Sequence, residues 1–216
     1  MTAQIRGMTM NKIKVIALFG KSASGKDTIQ KWIASHYDVK EIVSCTTRPK
    51  RDYEKEGEDY FFLTVEQFTQ KVLDGSMLEA TEFNNWFYGT PIEGLDAEML
   101  NVGVFNPAGI EALLSDSRID VMPIYVLASD KVRLLRSLNR EEKPDCHEIC
   151  RRFFTDEKDF ASFDFDYMMI QNENGFNEHI LDYFISHFDE VINFKDIAIY
   201  REQWANMDND QQTFLK

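Results

Sequence analysis

Gly20-Lys21-Ser22-Ala23-Ser24-Gly25-Lys26 is the first place in the chain where residue types and spacing can do chemistry. It fits G-x-x-x-x-G-K, a loop that turns successive backbone N–H groups inward. Those groups and the N-terminus of a following helix hold the β-phosphate of a nucleotide. Gly20, Ser22, Ser24 and Gly25 belong to the cradle. Lys26 supplies a point charge across the β- and γ-phosphates, which suits transfer of the terminal phosphoryl. A match this short arises by chance fairly often, so its setting decides. Residues 15–19 are a short, continuously apolar run that reads as a buried parallel strand, and Ile29, Trp32, Ile33 and Tyr37 then recur at helical spacing. Strand, glycine-bounded loop and helix is the setting such a loop requires.

The next residue departs from the pattern. Where Ser or Thr normally contacts Mg²⁺, this chain has Asp27, followed by Thr28. A carboxylate is a hard oxygen ligand suited to that ion. The expectation is that Asp27 keeps the metal role and Thr28 helps with phosphate.

A second constellation follows. Ser44-Cys45-Thr46-Thr47-Arg48-Pro49-Lys50-Arg51 sets two arginines three residues apart; then come Gly57-Glu58-Asp59-Tyr60-Phe61-Phe62, Met77-Leu78-Glu79 and Tyr88-Gly89-Thr90-Pro91. Arg48 and Arg51 suit a planar fork pair around a phosphate, to which Tyr60 and Tyr88 can each donate a phenolic hydrogen bond. Glu79, when ionised, accepts two hydrogen bonds from adjacent N–H groups such as those on the edge of guanine. Singly, a solvated basic turn and core aromatics explain each feature better; together, in this order, they favour a site. Further on, residues 130–140 read as a helix with Val132, Leu135 and Leu138 on its apolar side. Arg133, Arg136 and Arg140 share one face of it at spacings of three and four. Arg151 and Arg152 follow a break at residues 141–145. Mobile arginines closing over a transferring phosphoryl are worth orders of magnitude in rate, although a solvated face is an alternative for Arg133.

The stretch from 44 to 91 resembles the monophosphate-binding segment of guanylate kinases, matching S-x-T-T-R-x-x-R, G-x-D-Y-x-F, F-x-E (here Met77-Leu78-Glu79) and Y-G-[ST]. With the phosphate loop, the resemblance covers roughly residues 13–190. It implies that Arg48, Arg51, Tyr60 and Tyr88 hold the acceptor phosphate and that Ser44, Glu79 and Thr90 read the base. It implies ATP as phosphoryl donor with Mg²⁺, lid arginines Arg136, Arg140 and Arg152, and adenine contact near Asn172. One departure bears on specificity. The family usually shows L-D-x-D-x-x-G, whereas this chain has Val102-Gly103-Val104-Phe105-Asn106-Pro107-Ala108-Gly109, with neither aspartate. Asn106 offers both a donor and an acceptor in place of one of them. Losing a carboxylate that rejects other bases widens specificity. The acceptor is therefore expected to be GMP or dGMP, or a broader set of deoxynucleotides, a habit similar to that of phage-type deoxynucleoside monophosphate kinases. A catalytically inactive phospho-ligand binding module is the alternative; such modules typically have a degraded phosphate loop, and Gly20, Gly25 and Lys26 are intact. A kinase of some other small phosphorylated metabolite is a third reading, against which Glu79 argues.

The elements that must position these residues read as one α/β domain: a parallel sheet flanked by helices in the P-loop kinase manner, with an inserted monophosphate-binding segment and a lid. The core is expected over residues 11–42, 96–138 and 160–192, the insertion over 43–95, the lid over 139–159, and a polar tail of unassigned role over 193–216. Within the insertion, residues 65–74 read as a helix that Thr64 and Gln67 cap and Gly75 stops. Strands are expected at 102–105, 124–127 and 167–170, and helices at 146–160 and 180–188. A net charge of −13 excludes a general electrostatic footprint for long nucleic acid, which leaves small-molecule nucleotides as partners, with a monomer or homodimer as the assembly. No apolar run approaches the roughly 18 residues a membrane span needs, and the N-terminus lacks an apolar signal region. Three cysteines make no disulfide framework, so a reducing cytoplasm (a host's, if the protein is viral) is the expected compartment. Cys146, His147 and Cys150 read as ordinary helical residues, lacking a fourth ligand nearby.

Overall fold

The computed structural model describes residues 12–193 apart from residues 53, 84 and 141. The N-terminal arm and all but the first residue of the polar tail lie outside the described residues. The chain opens with β1 (Ile13–Phe19), α1 (Lys26–His36) and β2 (Val39–Glu41), then β3 (Cys45–Thr46), β4 (Phe61–Phe62) and α2 (Val65–Leu73). A hairpin follows, β5 (Met77–Phe83) and β6 (Trp86–Pro91), and then β7 (Leu100–Val104), α3 (Pro107–Ser115) and β8 (Ile119–Leu127). The last stretch holds α4 (Asp130–Leu138), α5 (Cys146–Asp159), β9 (Met168–Gln171), α6 (Glu178–Ser186) and α7 (Phe188–Asn193).

Five strands form a parallel sheet in the order β2-β7-β1-β8-β9. The apolar run of β1 has a simple cause. Ile16 and Leu18 face one core with Ile29, Ile33, Ile170, Leu181 and Phe184, while Val15, Ala17 and Phe19 face another with Ile110 and Leu113. A strand covered on both faces needs apolar residues at every position. Four strands make a second, mixed sheet, β4-β3-β6-β5, in which β3 runs parallel to β4 and β6 runs antiparallel to β3 and β5. The expected cap of α2 is present: the Thr64 hydroxyl accepts from the Gln67 N–H at 3.2 Å and the Gln67 side chain accepts from the Thr64 N–H at 2.9 Å. Phe68 then stacks on Phe87, fixing α2 to the second sheet.

The structure corrects several boundaries. β8 starts at Ile119 rather than 124, β7 spans Leu100–Val104 rather than 102–105, and the last expected helix breaks at His187 into α6 and α7. The helix α3 was not expected, although Asn106 at its N-cap and Pro107 in its first turn are strong start signals. The largest correction is α4. Leu135 and Leu138 were expected inward, but they are 49% and 38% exposed, and Arg133 is 1% exposed. Arg133 donates to the Ser22 carbonyl at 2.9 Å, to Asp130 at 2.6 Å and to Asp156, and lies 4.3 Å from the Phe153 ring centre. Partners from the phosphate loop and α5 satisfy the guanidinium, and helical periodicity cannot show them.

Candidate active site

The phosphate loop joins β1 to α1 at the carboxyl end of the parallel sheet, where α/β proteins bind ligands. Two glycines make its path possible. A Cβ at Gly20 (φ +150°) would lie 2.4 Å from the Val126 carbonyl oxygen, and one at Gly25 (φ +99°) would lie 2.2 Å from Asn172 Nδ2. Lys26 folds back over the loop and donates to the carbonyls of Gly20 at 2.8 Å and Lys21 at 3.2 Å. Burial lowers its ammonium below the ordinary lysine range, against the opposing pull of Asp27 and Asp156. Asp27 is exposed at the start of α1, and Arg140 approaches it at 3.5 Å.

Opposite the loop, the second sheet presents the basic and aromatic constellation. Arg48 makes a two-pronged pair with Glu54 at 2.7 and 2.9 Å and lies over the rings of Tyr60 and Phe62. Glu54 also accepts from the Arg51 N–H at 2.9 Å. Burial alone would raise the Glu54 carboxyl, but the Arg48 hydrogen bonds, the Arg51 N–H and both guanidinium charges outweigh it and hold the group below its ordinary range. Tyr60 meets Tyr88 edge-on at 6.1 Å, and burial raises its phenol. Deeper in, Thr90 donates to Glu79 at 2.8 Å. Burial pushes the Glu79 carboxyl up to about 7, with the Thr90 hydroxyl and N–H restraining the rise. Asn106 donates to the Thr81 hydroxyl at 2.8 Å while its carbonyl oxygen accepts from the Gly109 N–H at 2.7 Å. Its donor and acceptor thus already serve the cap of α3 and the end of β5.

One cleft of about 290 Å³ brings most of the expected residues together. Gly20, Ser22, Lys26 and Asp27 line it from the loop; Ser44, Arg48, Arg51, Tyr60, Glu79 and Tyr88 line it from the second sheet. Asn106, Arg140 and Arg152 complete it, with Arg151 beside Arg152. The other expected residues, Gly25 among them, lie outside its lining. Thr90 is buried behind Glu79, and Thr28 is exposed on α1 outside the lining. Ser24 is buried, and its hydroxyl has no hydrogen-bond partner among the described residues. Asn172 donates to the Ser24 carbonyl at 2.8 Å. Arg136 is turned onto main-chain carbonyls, of Asn172 at 2.9 Å, Glu173 at 3.1 Å and Ser24 at 3.2 Å. Both therefore brace the loop from the β9 side. Sequence reasoning missed Glu54, Asp156, Thr81 and Trp86, which also line the cleft. Glu54 left a signal, an acid three residues after Arg51 in a basic stretch; Asp156 left a weaker one, four residues after Arg152.

A phosphate loop that faces an arginine- and tyrosine-lined second sheet across one cleft defines a phosphotransferase of the P-loop class. The guanylate kinase family model matches residues 12–187. The chain is 33% identical over 150 residues to the guanylate kinase of Malacoplasma penetrans, a match covering 65% of this chain and 68% of that protein. It is 30% identical over 166 residues to that of Maricaulis maris, covering 74% and 76%. The crystal structure of the Anaplasma phagocytophilum guanylate kinase superposes with a TM-score of 0.57 at 23% identity, over 86% of this chain and 89% of that one, and shares the fold. The chain belongs to the guanylate kinase family and is an ATP-dependent nucleoside monophosphate kinase.

Proposed function

We propose that the protein transfers the γ-phosphoryl of ATP to GMP or dGMP, and that its acceptor range extends to further deoxynucleoside monophosphates. The observation that carries this reading is the single cleft in which Lys26 faces Arg48, Arg51, Tyr60 and Tyr88. Donor phosphates on the loop and an acceptor phosphate on the second sheet would then meet in line. No general base is needed, because positioning and charge neutralisation dominate this chemistry.

In this reading Arg48 and Arg51 clamp the acceptor phosphate, with Glu54 holding both guanidinium groups in register, and Tyr60 and Tyr88 donate to the same oxygens. Glu79 accepts from the base edge, Thr90 aligns its carboxylate, and Ser44 flanks the base. Lys26, Arg140 and Arg152 neutralise charge on the transferring phosphoryl. Gly20, Ser22, Ser24 and Gly25 shape the phosphate cradle, with Thr28 next to it on α1. Asn172 and Arg136 hold the loop against β9, beside where adenine would lie. The monophosphate site corresponds to residues 43–95, and the lid to residues 139–159.

Mg²⁺ fits the residues present. Asp27 is an exposed carboxylate beside Lys26, and one or two carboxylates with phosphate oxygens and water is the donor set this ion takes in kinases. When bound there, it would neutralise charge across the β- and γ-phosphates. The wider acceptor range rests on β7, which ends without an acidic residue, and on Asn106, whose amide is engaged by Thr81 and Gly109. Turnover measured across GMP, dGMP, dTMP, dCMP and AMP tests the proposal. Activity with GMP alone would overturn the broad range, and activity with none would overturn the acceptor assignment.

A further inference from the structure

We propose that Asp156, paired with Arg133, is a positioning residue for phosphoryl transfer, tying the Ser22 peptide of the phosphate loop to α5 and thereby setting the distance between Lys26 and the α5 arginines. The inference rests on the kinase reading and adds to it a pair that the transfer chemistry itself does not touch.

Three polar groups of one loop residue meet this pair. The Ser22 N–H donates to Asp156 at 2.8 Å, the Ser22 hydroxyl donates to the other Asp156 oxygen at 3.0 Å, and the Ser22 carbonyl accepts from Arg133 at 2.9 Å. Asp156 and Arg133 are each 1% exposed, and Arg133 also donates to Asp156. The Ser22 N–H is thus directed at a protein carboxylate rather than into the cradle. A carboxylate against a loop that must accept a polyphosphate opposes binding unless it is neutralised, and Arg133 neutralises it. Stability alone is a weak reason for the arrangement, since a buried ion pair is often matched or exceeded by well-packed apolar residues.

The helix geometry supplies the function. Glu148, Arg152 and Asp156 recur every fourth residue, so they share one face of α5, and all three line the cleft. Arg152 sits one turn before Asp156, about 6 Å along the axis. Fixing Asp156 on Ser22 therefore fixes Arg152 relative to the loop that carries Lys26. Lys21 and Glu157 add an exposed contact beside the buried one, which by itself contributes little.

The test is the paired replacement R133M/D156L, which removes the tie to Ser22 without leaving a buried charge, assayed beside Asp156→Asn. In the double variant we expect a melting temperature within a few degrees of wild type and a kcat lower by about 10- to 100-fold, since misplacement by about 1 Å can cost 10²-fold. The KM for the acceptor should stay within about threefold, because the acceptor groups lie on the other sheet. Asp156→Asn, read per folded molecule well below its melting temperature, should lose at least about fivefold in kcat and recover with Asp156 restored. Unchanged kcat in the folded double variant, or in Asp156→Asn if the double variant fails to fold, would show that the pair is structural only and overturn the inference. A wild-type protein inactive on every monophosphate is a separate result, which sinks the kinase reading and this inference with it.

Discussion

Replacing Glu79 by Gln should stabilise the free protein in alkaline solution while costing it its acceptor. Glu79 is nearly buried, and no cation is among the causes of its shift; burial raises its carboxyl from the ordinary 4.5 to about 7. The folded protein therefore keeps this proton to a higher pH than the unfolded chain does. Between 4.5 and about 7 the folded state binds more protons, so stability falls as pH rises through that window, and the full penalty is present above it. At about 1.4 kcal/mol per tenfold change in proton affinity, the penalty is about 3 kcal/mol. Glutamine does not titrate and can still accept from Thr90. Urea denaturation at pH 5 and pH 8.5 should show the advantage of Glu79→Gln growing by about 2.5 kcal/mol between the two, since the first part of the penalty is already present at pH 5. In melting temperature that is on the order of 10 °C at the higher pH. The kinetic consequence has the opposite sign. A guanine edge with two N–H donors needs the ionised form, so GMP affinity should rise with pH through about 7, and binding below it should release a proton, measurable by calorimetry in buffers of differing ionisation enthalpy. The Gln variant should raise KM for GMP by about 100-fold, two charge-assisted hydrogen bonds being lost. A stability difference that is the same at both pH values would refute the reasoning.

Three further outcomes are expected. Ala23 adopts φ +60°, a left-handed conformation that costs a residue with a Cβ about 1–2 kcal/mol, so Ala23→Gly should raise stability by about 0.5–1 kcal/mol in urea titrations. Asp27→Ala should raise the Mg²⁺ concentration needed for half-maximal turnover by roughly tenfold, and an unchanged metal requirement would remove Asp27 from the metal role. Leu135→Glu should alter stability by less than about 0.5 kcal/mol, whereas Arg133→Ala should cost about 3–5 kcal/mol; thermal melts would separate the two, and a costly Leu135 change would contradict the orientation of α4.

The strand–loop–helix start was legible because it is local: its residue types sit within a few positions of one another. The constellation from 44 to 91 is spread over several elements, and it was legible as an ordered series of four short motifs, each local in itself. Thr64 and Gln67 capped α2 as their spacing dictates, for the same reason. What escaped depends on partners distant in sequence. The inward turn of Arg133 requires Asp156, twenty-three residues on, and Ser22, more than a hundred residues back. The leucines of α4 satisfied the periodicity of a buried face yet lie outward, since an arginine with every group matched displaced them. Asn172 is a case of intermediate legibility. Its place after β9 was readable, but its amide braces Ser24, a contact made 148 positions away. Glu54 was overlooked in a stretch dense with charge, where a buried acid and a solvated one look alike.

Trp86 has a use beyond shaping the cleft. Of three tryptophans, it lines the cleft from the second sheet, Trp32 is stacked on His36 at 4.2 Å, and Trp204 lies outside the described residues. Indole emission responds to hydration and to nearby charge. A monophosphate seated between Arg48 and Glu79 would drain water from the Trp86 ring and alter the field around it. On the proposed acceptor site, that ring would serve as the protein's own optical reporter, through which occupancy could be followed in the absence of donor and turnover.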